Sequence, residues 1–130
     1  LQHGFTHMLE ELVRRIEQLF GVSCNLSLRI KTPVSDDSTA IHLYRIVQEA
    51  INNAIRHGKA DTIDINVTST QKKIAVLVID NGSGLPEDFA ESRGMGLRIM
   101  NYRAHMIGAN LDVHNHNGGG TYVSCIIQGE

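Results

Sequence analysis

The sequence contains no tryptophan, and aromatic residues make up only 5% of its 130 positions. Side chains that could stack on successive bases are therefore scarce, although such stacking is a main source of affinity for single-stranded nucleic acid. An excess of one charge is also lacking, because 12 basic and 14 acidic residues leave a formal net charge of −2. Without a basic field to attract DNA or an anionic membrane, the sequence predicts no nucleic-acid partner.

Cysteine is equally sparse, with Cys24 and Cys125 each lying among alternating apolar residues. Two isolated cysteines do not form a disulfide framework, so both are predicted to be small buried hydrophobic residues in a reducing compartment. No apolar run approaches the length of a membrane span and no signal peptide is visible, which favours a cytoplasmic location. Because the first residue is Leu1 and not methionine, we expect residues 1–130 to be one domain of a longer protein that could be membrane-anchored upstream.

Hydrophobic periodicity predicts the order α-β-α-β-β-α-β-β. Helices are expected where apolar residues recur every three or four positions, and a glycine follows each of them; these are residues 5–20, 39–57 and 96–107. Strands are expected where apolar and polar residues alternate or an apolar run is short; these are residues 23–31, 63–67, 74–79, 111–113 and 121–127.

Helices segregated from antiparallel hairpins indicate an α+β fold, a two-layer sandwich. Residues 74–79 are apolar throughout, so this strand is expected at the centre of the sheet and covered on both faces. Residues 81–93 contain glycine, serine, proline and acidic residues without a period, which predicts a loop. We expect its part from 85 to 93 to be a mobile lid that becomes ordered when a ligand binds.

The second predicted helix carries a candidate cation site. Glu49 and Asn53 lie four residues apart, so their side chains share one helix face, one turn apart. A carboxylate and an amide oxygen can hold Mg²⁺, which takes few protein ligands and keeps several waters. Arg56 adds a positive charge that suits a phosphate. The same residues also fit the solvated polar face of any amphipathic helix, and this alternative stays open.

A second candidate site directly follows the apolar run. Asp80 ends that run, where a carboxylate is costly unless it is paired. Gly82 and Gly84 permit backbone geometries and a close ligand approach that side chains would prevent. The alternative is a strand followed by a simple turn, but this does not explain why a loop follows in place of a returning strand.

Two further segments are rich in glycine. Gly94 and Gly96 stand at the start of the third predicted helix, where free N–H groups can bind an anion. Helix N-termini often carry glycine without binding anything, so this pair alone is a weak signal. Residues 118–120 are three glycines followed by Thr121 in the last hairpin, and by themselves they indicate a turn.

Other familiar motifs are incomplete or absent, including the P-loop, a full G-x-G-x-x-G and the serine elbow G-x-S-x-G. His114 and His116 share one strand face and could chelate a metal. No third ligand is evident near them, so the sequence favours no zinc-type centre.

In series, E-x-x-x-N-A at 49–54, D-x-G-x-G at 80–84, G-x-G-L at 94–97 and G-G-G-T at 118–121 resemble the N, G1, G2 and terminal boxes of the GHKL superfamily. This superfamily covers DNA gyrase, heat-shock chaperones, histidine kinases and mismatch-repair ATPases. The resemblance runs from about residue 39 to residue 127. It implies a Bergerat-type ATP-binding fold, with a mixed five-stranded sheet and helices on one face, and it implies ATP and Mg²⁺ as cofactors.

The resemblance also implies roles for individual residues. Asn53 would be a ligand of Mg²⁺, and Asp80 would accept a hydrogen bond from the adenine amino group. Glu49 would activate the attacking group, as in the hydrolytic members, although most other histidine kinases carry asparagine there. The remaining nucleotide-binding residues would be Arg56 and His57 near the phosphates, Gly82, Gly84, Gly94, Gly96 and Leu97 in the nucleotide loops, and Thr121 near the adenine.

Residues 19–22, the segment 94–113 and the short loop before it resemble the nitrate-sensor-like class of bacterial sensor histidine kinases. This class implies two-component signal transduction: the γ-phosphate of ATP moves to a histidine on a separate dimerisation domain of a homodimeric protein, and then to a response regulator. Neither His3 nor His7 lies in a His-Asp or His-Glu pair, so we expect the acceptor outside this chain. An anti-sigma-factor serine kinase of the same superfamily and a non-catalytic nucleotide-binding switch are the alternatives.

Overall fold

The computed structural model of the chain describes residues 4–84, 94–115 and 119–129. Its elements follow the predicted order: α1 (Gly4–Phe20), β1 (Ser23–Ile30), α2 (Asp37–Arg56), β2 (Thr62–Ser69), β3 (Lys73–Asp80), α3 (Gly94–Met106), β4 (Asn110–Asn115) and β5 (Thr121–Gln128). The lid expected at 85–93 lies outside the described residues, as does the middle of the last hairpin turn at 116–118.

The strands form one five-stranded sheet in the order β1-β2-β3-β5-β4. β1 pairs with β2 in parallel, whereas the other three pairings are antiparallel, so the sheet is mixed. The buried side chains of the central strands lie opposite one another in register, for example Val67 with Val76 and Val76 with Cys125. They form one core with the buried residues of the helices, which confirms the predicted α+β sandwich.

The expectation that β3 is covered on both faces was wrong. β3 is central, but Val76, Val78 and Asp80 are buried while Ala75 and Ile79, on the other face, are only half-buried. The core against the helices lies on one side of the sheet. A continuous apolar run does not reveal whether a second layer will be available to cover its outer face.

Residues at the helix ends explain where α1 and α2 begin or end. The side chain of Asp36 accepts a hydrogen bond of 2.9 Å from the Thr39 amide, so α2 begins two residues before its predicted start. α1 ends at Phe20, and Gly21 directly after it has the left-handed φ of 69° that is common after a helix C-terminus. The apolar periodicity of residues 5–20 includes Leu19 and Phe20, yet their side chains are 69% and 52% exposed. The first helical turns bury apolar residues, whereas the last turn projects beyond the core.

Both cysteines are free and buried, as predicted. Burial raises the pKa of the Cys24 thiol to about 11, with smaller contributions from the nearby Glu17 and Asp64 carboxylates. Burial also raises the pKa of the Cys125 thiol to about 11. Both thiols therefore stay protonated and unreactive at neutral pH. Within the described ranges, no helix is both long and apolar enough to cross a bilayer.

Candidate functional site

A cavity of about 280 Å³ lies between α2, α3 and the sheet. It is lined by Ala50, Asn53, Ala54, His57, Gly58, Val78, Asp80, Ser83, Gly84, Met100, Val113, Thr121 and Val123. The structure thus brings together five residues that the motifs singled out: Asn53, His57, Asp80, Gly84 and Thr121. Most of the other walls are alanine, valine and methionine side chains. An apolar cavity with a few polar groups suits a flat ring that has a polar edge.

Asp80 is the buried polar group of this cavity, with 6% of its surface exposed. Its Oδ1 accepts a hydrogen bond from the amide of Gly82 at 2.8 Å and another from the amide of Thr121 at 3.3 Å. Backbone donors of this kind favour the ionised form of a carboxyl group. They also hold the side chain in one orientation, because one donor belongs to the following loop and the other to β5.

Glycines allow two close approaches between the segments around the cavity. A Cβ atom on Gly82 would lie 2.5 Å from the carbonyl oxygen of Gly58, which accepts a hydrogen bond of 2.8 Å from the Ser83 amide. Gly120 has φ of 95°, and a Cβ atom there would lie 1.8 Å from the carbonyl oxygen of Asp80. The sequence singled out Gly82 but interpreted Gly58 as a helix stop and Gly120 as a turn residue. Their contacts depend on segments that meet only in the folded chain.

Asn81 anchors the same loop to the sheet, a role that its position in a turn did not reveal. Its Oδ1 accepts hydrogen bonds of 3.0 Å from the amides of both Asp61 and Thr62. Its Nδ2 donates to Asp61 Oδ1 at 2.7 Å. The loop after β3 is therefore attached to the start of β2 on one side and to Gly58 on the other. This attachment holds residues 81–84 in an irregular conformation directly after β3.

The first turn of α3 lies against the candidate cation ligands of α2. A Cβ atom on Gly96 would be 2.8 Å from Glu49 Oε2 and 3.5 Å from Asn53 Oδ1. The missing side chain at position 96 thus lets the first turn of α3 lie close to both polar groups of α2. Gly94 is the first residue of this helix, and Leu97 packs against the core. The N–H groups of a first helical turn can bind an anion, and the side-chain oxygens of Glu49 and Asn53 are of the type that a hard cation prefers.

Other residues from the motifs lie outside the cavity. Arg56 is exposed on the last turn of α2, so its role near the phosphates stays a prediction. His114 stacks on Tyr122 with ring centroids 4.4 Å apart, and its Nε2 lies 3.9 Å from Asp112 Oδ2. His116 falls outside the described residues. Within the described part of the chain, no three histidine, cysteine or acidic residues are grouped closely enough to hold a metal.

Residues 38–129 match the family described as histidine kinase-, DNA gyrase B-, and HSP90-like ATPase. The chain is 30% identical over 120 residues to the nitrate/nitrite sensor protein NarX of Escherichia coli (strain K12), covering 92% of the chain and 20% of that protein. It is 32% identical over 117 residues to NarQ of the same organism, covering 89% and 21%. The chain therefore spans about a fifth of the length of these curated relatives.

Solved structures share the fold. The histidine kinase domain of a blue-light activated histidine kinase from Erythrobacter litoralis superimposes with a TM-score of 0.75 at 23% identity, covering 95% of this chain and 60% of that one. The ATP binding domain of PrrB from Mycobacterium tuberculosis gives a TM-score of 0.74 at 22% identity, covering 96% and 93%. At these identities the likeness concerns the fold alone, and it confirms the predicted sandwich.

Proposed function

The chain belongs to the family of histidine kinase-, DNA gyrase B- and HSP90-like ATPases, and we propose that it binds Mg·ATP and donates the γ-phosphate to a histidine on another domain. That acceptor is a dimerisation domain of the same, homodimeric protein, and a response regulator receives the phosphoryl group from it. The observation that carries the proposal is a buried Asp80 in an apolar cavity that Asn53 also lines.

The cavity is suited to adenine. The apolar side chains can pack against both faces of a purine, and the Asp80 carboxylate can accept a hydrogen bond from the exocyclic amino group. Thr121 lies beside this carboxylate, since its amide donates to it. Gly58 and Gly84 line the cavity with backbone alone.

The phosphates are proposed to lie at Asn53, Glu49 and the first turn of α3. Asn53 would hold Mg²⁺ through its amide oxygen, a ligand type that fits this cation, and bound Mg²⁺ would neutralise charge on the phosphates. The N–H groups at the start of α3 would bind phosphate oxygens. Glu49 would orient or deprotonate the attacking group, and the acidic neighbour of an acceptor histidine is the competing base.

We propose that residues 1–130 act as one catalytic domain in the cytoplasm, where ATP is available and thiols stay reduced. The relatives are named as nitrate/nitrite sensor proteins, which supports a sensor kinase over an anti-sigma-factor serine kinase. The presence of both Glu49 and Asn53 beside α3 supports catalysis over a non-catalytic switch.

The choice of nucleotide tests the adenine site. We expect Mg·ATP to bind about tenfold or more tightly than Mg·ITP or Mg·GTP, because both carry an oxygen where adenine has its amino group. An acceptor facing the Asp80 carboxylate leaves a hydrogen bond unmade, which costs about 1–3 kcal/mol. Isothermal titration calorimetry measures the three affinities. Since ITP differs from ATP at this edge alone, equal binding of ATP and ITP would contradict a hydrogen bond from the adenine amino group to Asp80.

Transfer to a separate domain tests the reaction. With radiolabelled ATP, we expect no label on this chain alone and acid-labile label on an added acceptor-histidine domain, because positioning donor and acceptor supplies most of the rate. Asn53→Ala should abolish the transfer, whereas Asn52→Ala, one position along the same helix, should not. Label on this chain alone that is lost on replacing His7 would contradict the assignment of the acceptor.

A further inference from the structure

Helices α2 and α3 are in contact at two positions that involve polar side chains. These two positions are equally far apart along both helices. Gly96 of α3 lies against Glu49 of α2, and Arg103 Nη1 lies 3.3 Å from His42 Nδ1. His42 precedes Glu49 by seven positions, and Arg103 follows Gly96 by seven positions. The helices are therefore antiparallel, and the two contacts are separated by two turns, about 10 Å along each axis.

The second contact has a defined chemistry. A guanidinium group can donate hydrogen bonds but not accept them, so His42 Nδ1 must be the acceptor. Both residues are half-buried between the helices, where a hydrogen bond to a charged donor is stronger than on the open surface.

Apolar and polar contacts both act on the displacement of one helix along the other. Among the residues of α3 whose burial is described, Met100 and Ala104 are buried, and the adjoining part of α2 includes the buried Ile46 and Ala50. Close packing of these side chains already restricts sliding, and a directional hydrogen bond adds a further restraint. A shift by one residue is about 1.5 Å, which would break the contact of 3.3 Å between His42 and Arg103 unless the Arg103 side chain changed its rotamer. This contact therefore favours one register of the two helices.

We propose that His42 and Arg103 are positioning residues for the phosphate end of the nucleotide site. They hold α3 in the register that places its first turn beside Glu49 and Asn53, without touching the nucleotide themselves. The proposal rests on the proposed function insofar as the phosphates bind at that turn. Neither residue has a role at the proposed adenine end of the nucleotide site, which Asp80 and β5 form.

Affinities for ATP and adenosine separate this role from general destabilisation. We expect His42→Ala and Arg103→Ala each to weaken Mg·ATP binding by about threefold to tenfold, with adenosine binding unchanged. The double variant should lose no more than either single one, because both remove the same contact. His42→Gln, which keeps an acceptor, should bind ATP within about twofold of the original chain. His105→Ala and Arg45→Ala are controls at exposed positions.

A measurement without nucleotide tests independently whether His42 and Arg103 position the first turn of α3. The NMR resonance of the Gly96 amide should move in His42→Ala and Arg103→Ala, but not in His42→Gln or the two controls. An unmoved Gly96 resonance in both alanine variants overturns the proposal, and so does an equal loss of ATP and adenosine binding. If the original chain binds no ATP, the proposed function fails, and the Gly96 resonance still decides whether this contact sets the register.

Discussion

Replacing Asp80 with asparagine should abolish nucleotide binding while the fold survives, with a loss of affinity of about 100-fold or more. Oδ1 of Asp80 accepts from the amides of Gly82 and Thr121. An asparagine can keep these two bonds only by using its single acceptor oxygen in the same place. Its amino group would then replace the second oxygen and oppose the adenine amino group, so two donors would face each other in an apolar cavity.

Calorimetry with Mg·ATP and a thermal unfolding scan measure the two halves of this prediction. Asp64→Asn is the matched control, because Asp64 lies on β2 and is half-buried, and its side chain accepts a hydrogen bond from Asn25 outside the cavity. The control should bind ATP normally. If Asp80→Asn also binds ATP normally and melts at the original temperature, Asp80 is a structural carboxylate and adenine binds elsewhere.

Gly120→Ala should be among the most destabilising single changes in this chain, at about 3 kcal/mol or more. The new Cβ atom would lie 1.8 Å from the carbonyl oxygen of Asp80 and 2.7 Å from its carbonyl carbon. Both are backbone atoms, which cannot rotate away as a flexible side chain could. The backbone φ of 95° adds strain of its own for any residue with a Cβ atom.

Gly119→Ala separates these two causes. Gly119 has φ of 107°, but a Cβ atom there would have as its nearest neighbour the carbonyl oxygen of Gly82 at 3.9 Å. We therefore expect only the conformational cost, about 1–2 kcal/mol. Urea unfolding of both variants measures the difference. Equal losses of stability would show that the end of the hairpin moves away from β3 without cost, and that Gly120 is not needed to close the site.

Local patterns predicted much of this molecule because they report local physics. The apolar residues Leu43, Val47 and Ala50 recur with helical spacing and are buried, and α2 ends at Arg56, close to its predicted end. Alternation in residues 63–67 correctly predicted a strand with one buried face. A carboxylate at the end of an apolar run was expected to need a partner to offset its cost of burial. The Asp80 carboxylate accepts hydrogen bonds from two backbone amides. Each inference needed only a residue and its neighbours in sequence.

By itself, then, the sequence determined the order of the elements and most of the faces they bury, and it singled out the residues proposed for a nucleotide site. Tertiary structure alone decided that β3 has only one fully covered face, that Gly58 meets Gly82, and that Gly120 lies against Asp80. It also decided the contact between His42 and Arg103. The physical reason is that periodicity records the local balance of polar and apolar exposure. Contacts between distant segments depend on how whole layers pack, and no local pattern encodes that.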